Sequence, residues 1–446
     1  MHRYIPSTAE EKQEMLKEVG VDSIMDLFLD IPENLRLGRD LNLEKSKSEM
    51  EVMKHLHGLG AKNKSLDDLV CFLGAGSYDH FIPTTIKHLA SRSEFFTAYT
   101  PYQPEISQGT LRVIFEYQSL MCNLTGMDAS NASMYDGQTA VVEAALMAIA
   151  SSKKAEKILV SEGLNPEARE VLKTYAHTKD IKLEYVALKN GATDMEEMAS
   201  KMSSEFAGVI VQNPNFLGVI EDVEAAVAIA HEHKSLLIDY VDPMSLAVLK
   251  TPGEMGVDIA VGEAQTFGNA MNFGGPYLGF LTTTKKLMRK IPGRIAGETV
   301  DADGNRAFVL TLQAREQHIR RFKATSNICS NQGLNVLVSA IYMVTMGKAG
   351  IKEVAMQSMA KAHYAHDSLV ATGKFSPAFE GQSFFREFAV KAHKSVSEIN
   401  ANLLENNYLG GYDLSKDYDL ENTVLIALTE KRTKDEIDNF VKLMEV

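Results

Sequence analysis

Short apolar runs at 158–160, 183–186, 209–211, 236–238 and 259–261 alternate with stretches whose apolar positions recur at the helical period, clearest at 166–177 and 222–233. Strands and helices joined by short connections specify βαβ units, so this region predicts a mostly parallel sheet with helices on both faces. A further strand is expected at 277–281, after a glycine-rich turn at Gly274-Gly275-Pro276. Upstream, Leu111, Ile114, Phe115, Gln118, Met121 and Cys122 follow a period of about 3.6 residues that stops at Gly126, and a second helix is expected at 141–150. Downstream, a long helix from Gln332 to Gly347 precedes strands near 385–390 and 424–427, helices near 395–406 and 434–444, and a turn at Gly410-Gly411. At the amino end, Ser7 or Thr8 caps a helix, with Glu10 and Glu11 in its first turn, and short amphipathic helices run to Ile31-Pro32. The predicted organisation is an α/β protein: a helical arm at 1–70, a large α/β domain at 71–330, and a linking helix with a smaller α/β domain at 331–446.

Composition narrows the class. A chain of 446 residues with 45% hydrophobic content is long enough for more than one core, since single cores rarely grow beyond about 250–300 residues. The net charge of −13 speaks against a nucleic-acid or anionic-membrane surface. Cys71, Cys122 and Cys329 are widely spaced, so neither a disulfide framework nor a metal site is expected. The amino terminus lacks an apolar signal core and no uninterrupted apolar run reaches bilayer length, which predicts a cytoplasmic protein.

Candidate chemistry gathers at strand ends. Asp239 ends the 236–238 run, and a carboxylate at the carboxyl end of a buried parallel strand points into the crevice where open α/β sheets bind ligands. Gln212-Asn213-Pro214-Asn215 ends another strand and faces the same crevice. Gly137, Gln138 and Thr139 open the second helix, where free N–H groups favour an anion, although Asp136 sets a negative charge beside them. The glycine-rich loop at 73–83 lacks the order of a nucleotide-binding motif; its Tyr78 and His80 either face a ligand or bond structurally. The basic stretch Lys285, Lys286, Arg289, Lys290 and Arg294 reads as a solvated face or a dock for an acidic partner.

Three segments carry a family resemblance. Tyr99-Thr100-Pro101-Tyr102-Gln103-Pro104-Glu105-Ile106-Ser107-Gln108-Gly109 is similar to the signature of glycine decarboxylase, the P-protein of the glycine cleavage system. The run Arg315-Glu316-Gln317-His318-Ile319-Arg320-Arg321-Phe322-Lys323-Ala324-Thr325-Ser326-Asn327-Ile328-Cys329 resembles another, with Phe322 where the family has an acidic residue. The third departs from the pattern: the family's His-Lys-Thr-Phe run, whose lysine forms a Schiff base with pyridoxal phosphate (PLP), is Ala264-Gln265-Thr266-Phe267 here. An amide forms no imine, so Gln265 cannot anchor PLP covalently.

The resemblance spans nearly the whole chain and implies a PLP-dependent transferase of fold type I, in its lysine-free half. It implies that PLP is bound by a separate β subunit, and that the complex decarboxylates glycine and passes the aminomethyl group to the lipoyl arm of the H-protein. It implies shared-site candidates Tyr99, Tyr102, Glu105 and Gln108, which otherwise form an interface loop. Gly137, Gln138, Thr139 and Asp239 become vestigial cofactor contacts, and Arg320, Lys323, Thr325 and Asn327 anion or interface contacts. Two other readings stay open at this stage. One is a stand-alone PLP lyase or aminotransferase using a lysine such as Lys285 or Lys286, and the other is a non-catalytic scaffold.

Overall fold

The apolar runs of the central region become strands of one seven-stranded sheet. In the computed structural model, which describes residues 4–152, 154–272 and 275–445, these are β1 (Ala129–Ser130), β2 (Lys157–Ser161), β3 (Lys182–Val186), β4 (Phe206–Asn213), β5 (Leu236–Val241), β6 (Ile259–Glu263) and β7 (Gly279–Thr283). Their order is β1-β7-β6-β5-β4-β2-β3. The strands β3, β2, β4, β5 and β6 run parallel, and β7 is antiparallel to both β6 and β1. The last strand thus begins two residues later than the 277–281 run suggested, and Gly274 of the expected turn lies outside the described residues.

Both faces of the sheet are covered, and strand alternation sorts the side chains between them. Ile158, Val160, Ile210, Ile238, Ile259 and Val261 point one way and pack under helix α2 (Gly137–Ser151), behind α1 (Gln108–Thr125) in the chain. Leu159, Val209, Val211 and Leu237 point the other way, onto Val223, Ala226 and Ala230 of α4 (Val223–Glu232); α3 (Pro166–Lys179) precedes it. Because α2 is apolar nearly all round and buried, packing rather than amphipathicity holds it.

Beyond the sheet, a hairpin of β8 (Ile295–Val300) and β9 (Arg306–Thr311) precedes the long helix α5 (Gly333–Ala371). The expected stop at Gly347 is a break rather than an end: Gly347 has φ 60°, a conformation suited to glycine, and the helix resumes to Ala371. By length and composition α5 could cross a bilayer. Its two halves instead serve two cores, Val336 and Ala340 beside α1, and Ala362, Ala365 and Leu369 against a four-stranded antiparallel sheet. That sheet runs in the order β10 (Phe375–Pro377), β11 (Glu387–Ala392), β13 (Thr423–Ala427), β12 (Tyr412–Asp413), backed by α6 (Val396–Glu405) and α7 (Lys434–Met444).

Residues 1–63 form a separate compact unit. Its first helix, Ala9–Val19, opens on a capping box between Thr8 and Glu11 and ends at Gly20 in the left-handed conformation. The short turn Ile24–Phe28 is a 3-10 helix, and a second α-helix, Glu49–Gly60, opens on a capping box between Ser48 and Glu51. Leu29, Leu43 and Met50 of this unit are exposed.

Candidate functional site

The carboxyl ends of β4, β5 and β6 converge on one crevice, where Gln212, Asp242 and Glu263 meet. Gln265, just past β6, is 2% exposed. Its Nε2 donates to the carbonyls of Asn269 (2.7 Å) and Tyr78 (3.1 Å), and its Oε1 accepts from the Tyr78 N–H (3.0 Å). The Gln265 side chain is therefore a structural clamp on the glycine-rich loop. Asp239 is fully buried, and among the described residues neither carboxylate oxygen has a hydrogen-bond partner. Burial, then the nearby Glu221, pushes its carboxyl well above the usual range, which keeps it neutral.

At the amino end of α2, Asp136 acts as the cap, its Oδ1 accepting from the Thr139 N–H at 2.7 Å. Gln138 turns away to donate to Glu167. The N–H of Gly137 donates to Glu263 Oε2 (3.0 Å), whose Oε1 also accepts from Gln265 N–H (3.0 Å) and Leu278 N–H (2.8 Å). A carboxylate of the chain itself thus sits where the helix opening favours an anion. Burial raises Glu263 to about 7 against the lowering effect of those N–H groups. The Tyr240 hydroxyl lies against Gly137 so tightly that a Cβ there would overlap it.

Residues from the glycine-rich loop and β11 complete the closure. Arg386 is 1% exposed; its Nη2 lies 2.7 Å from Asp242 Oδ2, and its guanidinium stacks 3.6 Å from the Tyr78 ring centroid. Its Nη1 contacts His80, whose Nδ1 meets Glu430 at 2.6 Å. The Tyr78 hydroxyl donates to Glu387 Oε2 (2.8 Å), and burial pushes that carboxyl to about 7. Tyr78 and His80 are therefore structural. A cavity of about 40 Å³ is left among Gln212, Pro214, Asn215, Tyr240, Glu263 and Arg386, the first three as expected, and it holds a water or two. Beside it a cavity of about 1060 Å³ opens over Asp136, Thr139, Glu263 and Tyr277, above the roughly 300 Å³ at which cofactor-sized sites begin. With the Gly137 and Thr139 N–H groups taken by Glu263 and Asp136, the residues at the α2 opening do not fit the phosphate of PLP.

The signature segments lie on an open face instead. Tyr99 is 83% exposed and Tyr102 57%, and Glu105 is exposed as well. Tyr102 is held from behind: Arg294 Nη2 donates to its hydroxyl (2.8 Å), and the guanidinium lies 5.1 Å from the ring centroid. Gln108 is spent on the backbone, Nε2 donating to Pro104 and Phe308 carbonyls and Oε1 accepting from the Phe308 N–H. A groove of about 200 Å³ between Tyr99, Pro101, Ile114, Ser330 and Leu334 joins this loop to the end of the second signature run. In that run Arg320, Lys323, Thr325 and Asn327 are exposed, and Phe322 is 90% exposed. Arg320 Nε donates to the Ala314 carbonyl, and Asn327 accepts from Lys179 (3.3 Å).

The structure thus brings Gln265 and Gly137 to one crevice and sets the two signature runs side by side elsewhere. The expectation for Asp239 is corrected: it lies inside β5, opposite Val211 and Ala260, and Asp242 just past the strand end reaches the crevice instead. A second expectation is corrected: Arg294 belongs to no solvated face but is 4% exposed beneath Tyr102, while Lys285, Lys286 and Arg289 are exposed. Glu263, Tyr240 and Arg386 were not anticipated. The signal for Glu263 was available, because a lone charge inside the apolar run 259–264 needs buried partners.

Several neighbours place this geometry. Lactobacillus brevis glutamate decarboxylase superposes with a TM-score of 0.70 over 93% of this chain and 95% of that one, at 11% identity, which bears on fold alone. The fold is that of the fold-type-I PLP enzymes, a mostly parallel α/β sheet. The model of the family described as "Glycine cleavage system P-protein" matches residues 2–444. A curated relative from Anoxybacillus flavithermus, "Probable glycine dehydrogenase (decarboxylating) subunit 1", is 52% identical over 443 residues, covering 99% of this chain and 98% of its own length. The crystal structure of an inhibitor-bound glycine decarboxylase (P-protein) matches with a TM-score of 0.90 and 40% identity, covering 100% of this chain and 99% of that one. The chain belongs to the glycine cleavage system P-protein family.

Proposed function

We propose that this chain is the half of a two-chain enzyme that shapes the active site without carrying the cofactor. It is an enzyme subunit of glycine cleavage, a glycine dehydrogenase (decarboxylating), an oxidoreductase that needs a partner subunit. PLP belongs to the complex and supplies the electron sink for loss of CO2. We assign its binding to the partner, the β subunit, with glycine as substrate and the lipoyl arm of the H-protein as acceptor. The three cysteines are free thiols, in keeping with a reducing cytoplasm. The division into arm (1–70), large domain (71–330) and small domain (331–446) is our working one.

The observation that carries this reading is the Gln265 amide, which forms no imine and is fully hydrogen-bonded to Asn269 and Tyr78. A rescue by another lysine runs into the sheet register. Gly279 of β7 pairs with Glu263 at the crevice, and Thr283 pairs with Ile259 at the far end, so Lys285 and Lys286 emerge at the opposite sheet edge. This chain's part is played by its open face. Tyr102, propped by Arg294, and Glu105 stand at the rim of the partner's site, where they orient substrate and exclude water; Tyr99 and the polar end of Gln108 support that loop. Arg320, Lys323, Thr325 and Asn327 offer cationic and polar contacts to the partner or to an anionic group there.

Tyr102→Phe and Glu105→Gln in the assembled complex test the assignment. The expected result is lowered turnover with intact assembly. Unchanged turnover with intact assembly rejects a shared site and leaves a scaffold.

A further inference from the structure

A fold that has merely lost its Schiff-base lysine would keep an empty cradle for the rest of the cofactor. Here the cradle is occupied by the chain itself. Three backbone N–H groups, those of Gly137, Gln265 and Leu278, converge on the two oxygens of Glu263. They come from the opening of α2, from the residue after next beyond β6, and from the approach to β7. This is the pattern by which a helix opening and its neighbouring loops hold an oxyanion. The carboxylate is in turn shielded, since Glu263 is 8% exposed and the Tyr240 hydroxyl abuts Gly137 on the open side.

We infer that Glu263 and Tyr240 are a built-in plug of the α2 opening, with the Glu263 carboxylate taking the N–H groups that the phosphate of PLP would use and the Tyr240 hydroxyl packed against Gly137, so that this opening offers no hold for the phosphate independently of the missing lysine. The inference goes beyond the proposed function, since it says why this half takes no PLP even without covalent attachment and although a cavity of about 1060 Å³ lies beside the opening. It also gives the plug a structural duty, tying α2, β6 and β7 together.

The test compares wild type with Gln265→Lys, with Glu263→Ala/Tyr240→Ala, and with the triple variant that combines all three, each expressed with its partner subunit and then separated. Each is incubated with PLP, desalted, reduced with borohydride and mapped for the modified peptide. The plug predicts no retained PLP in wild type and none in Gln265→Lys alone. The triple variant should hold near-stoichiometric PLP on the peptide containing position 265. The Glu263→Ala/Tyr240→Ala variant should bind PLP reversibly, at least tenfold more tightly than wild type in equilibrium dialysis, with competition from inorganic phosphate. Should the multiple variants fail to fold, Glu263→Ala decides alone: formate, a carboxylate small enough for the vacated space, should raise its Tm and leave that of wild type unchanged. PLP trapped at position 265 in Gln265→Lys alone overturns the plug, as does a folded triple variant with no more PLP than wild type, or a Glu263→Ala chain indifferent to formate. None of these outcomes depends on turnover, so the plug can fail while the division of labour between subunits stands, and the reverse.

Discussion

Two regions inherit the functional motifs of this fold, and the chain treats them oppositely. The crevice at the carboxyl ends of β4, β5 and β6 is cross-bonded, with Gln265, Glu263 and Arg386 each tied to another part of the chain. The face built by the two signature runs is open, with Tyr99, Tyr102 and Phe322 exposed beside Arg320 and Lys323. The contrast teaches that the two regions are held differently: buried polar groups are costly without partners and are bonded within the chain, whereas the residues of the two runs stay at the surface.

The largest expected effect comes from reopening the closed region at its charged centre. Arg386→Met leaves Asp242 without its ion pair and Tyr78 without its stacked cation. Removing one partner of a buried pair costs about 3–5 kcal/mol. Urea denaturation of the chain should show that loss, and a change below about 1 kcal/mol would mean that the cluster is not the keystone described here.

On the open face, Phe322→Asp should leave the stability of the chain unchanged and weaken its association with the partner. A central aromatic anchor is worth about 2 kcal/mol or more, or roughly thirtyfold in Kd. Titration of the two subunits by calorimetry reads this directly. Tyr102→Phe removes only the hydroxyl that accepts from Arg294. A hydrogen bond to a charged group is worth about 1.5–3 kcal/mol of stability and buried Arg294 loses that partner, so a fall in Tm of the chain is expected beside the lowered turnover of the complex.

The smallest effect is electrostatic. Glu263 is raised from 4.5 to about 7 by burial, so between those values the unfolded chain has already released a proton that the folded chain keeps. Its contribution to stability is fully present below about 4.5 and is lost as pH rises through about 7. Glu387 behaves alike. Glu263→Gln should therefore flatten the fall of Tm across this window, in addition to an offset from the amide's mismatch with the Gly137 N–H. An unchanged slope would show that Glu263 is ionised throughout.

Much of this was legible in the sequence, because it is written in local pattern. The alternation from 157 to 263 specified the parallel core, and strands such as Lys157–Ser161 fall on the expected runs with one residue added at either end. The proline-broken loop around Tyr102 was visible as a departure from periodicity, and Gln265 only as a departure from the motif of the resembled family. What was hidden depends on pairs far apart in the chain. Glu263 meets Gly137 across 126 residues, Tyr78 meets Glu387 across 309, and Arg294 reaches Tyr102 across 192. A lone arginine in a basic stretch looks solvated until the fold buries it. The continuation of α5 beyond Gly347 escaped for a different reason, since a glycine that stops a helix and one that kinks it look identical in sequence.

The central claim is that catalysis by this enzyme needs this chain for shape and its partner for cofactor. Glycine-dependent exchange of CO2, measured with PLP present for this chain alone, for the partner alone and for the two mixed, tests it most directly. The account predicts exchange in the mixture only, with no PLP retained by this chain. Exchange by this chain alone, with PLP bound to one of its lysines, would contradict it.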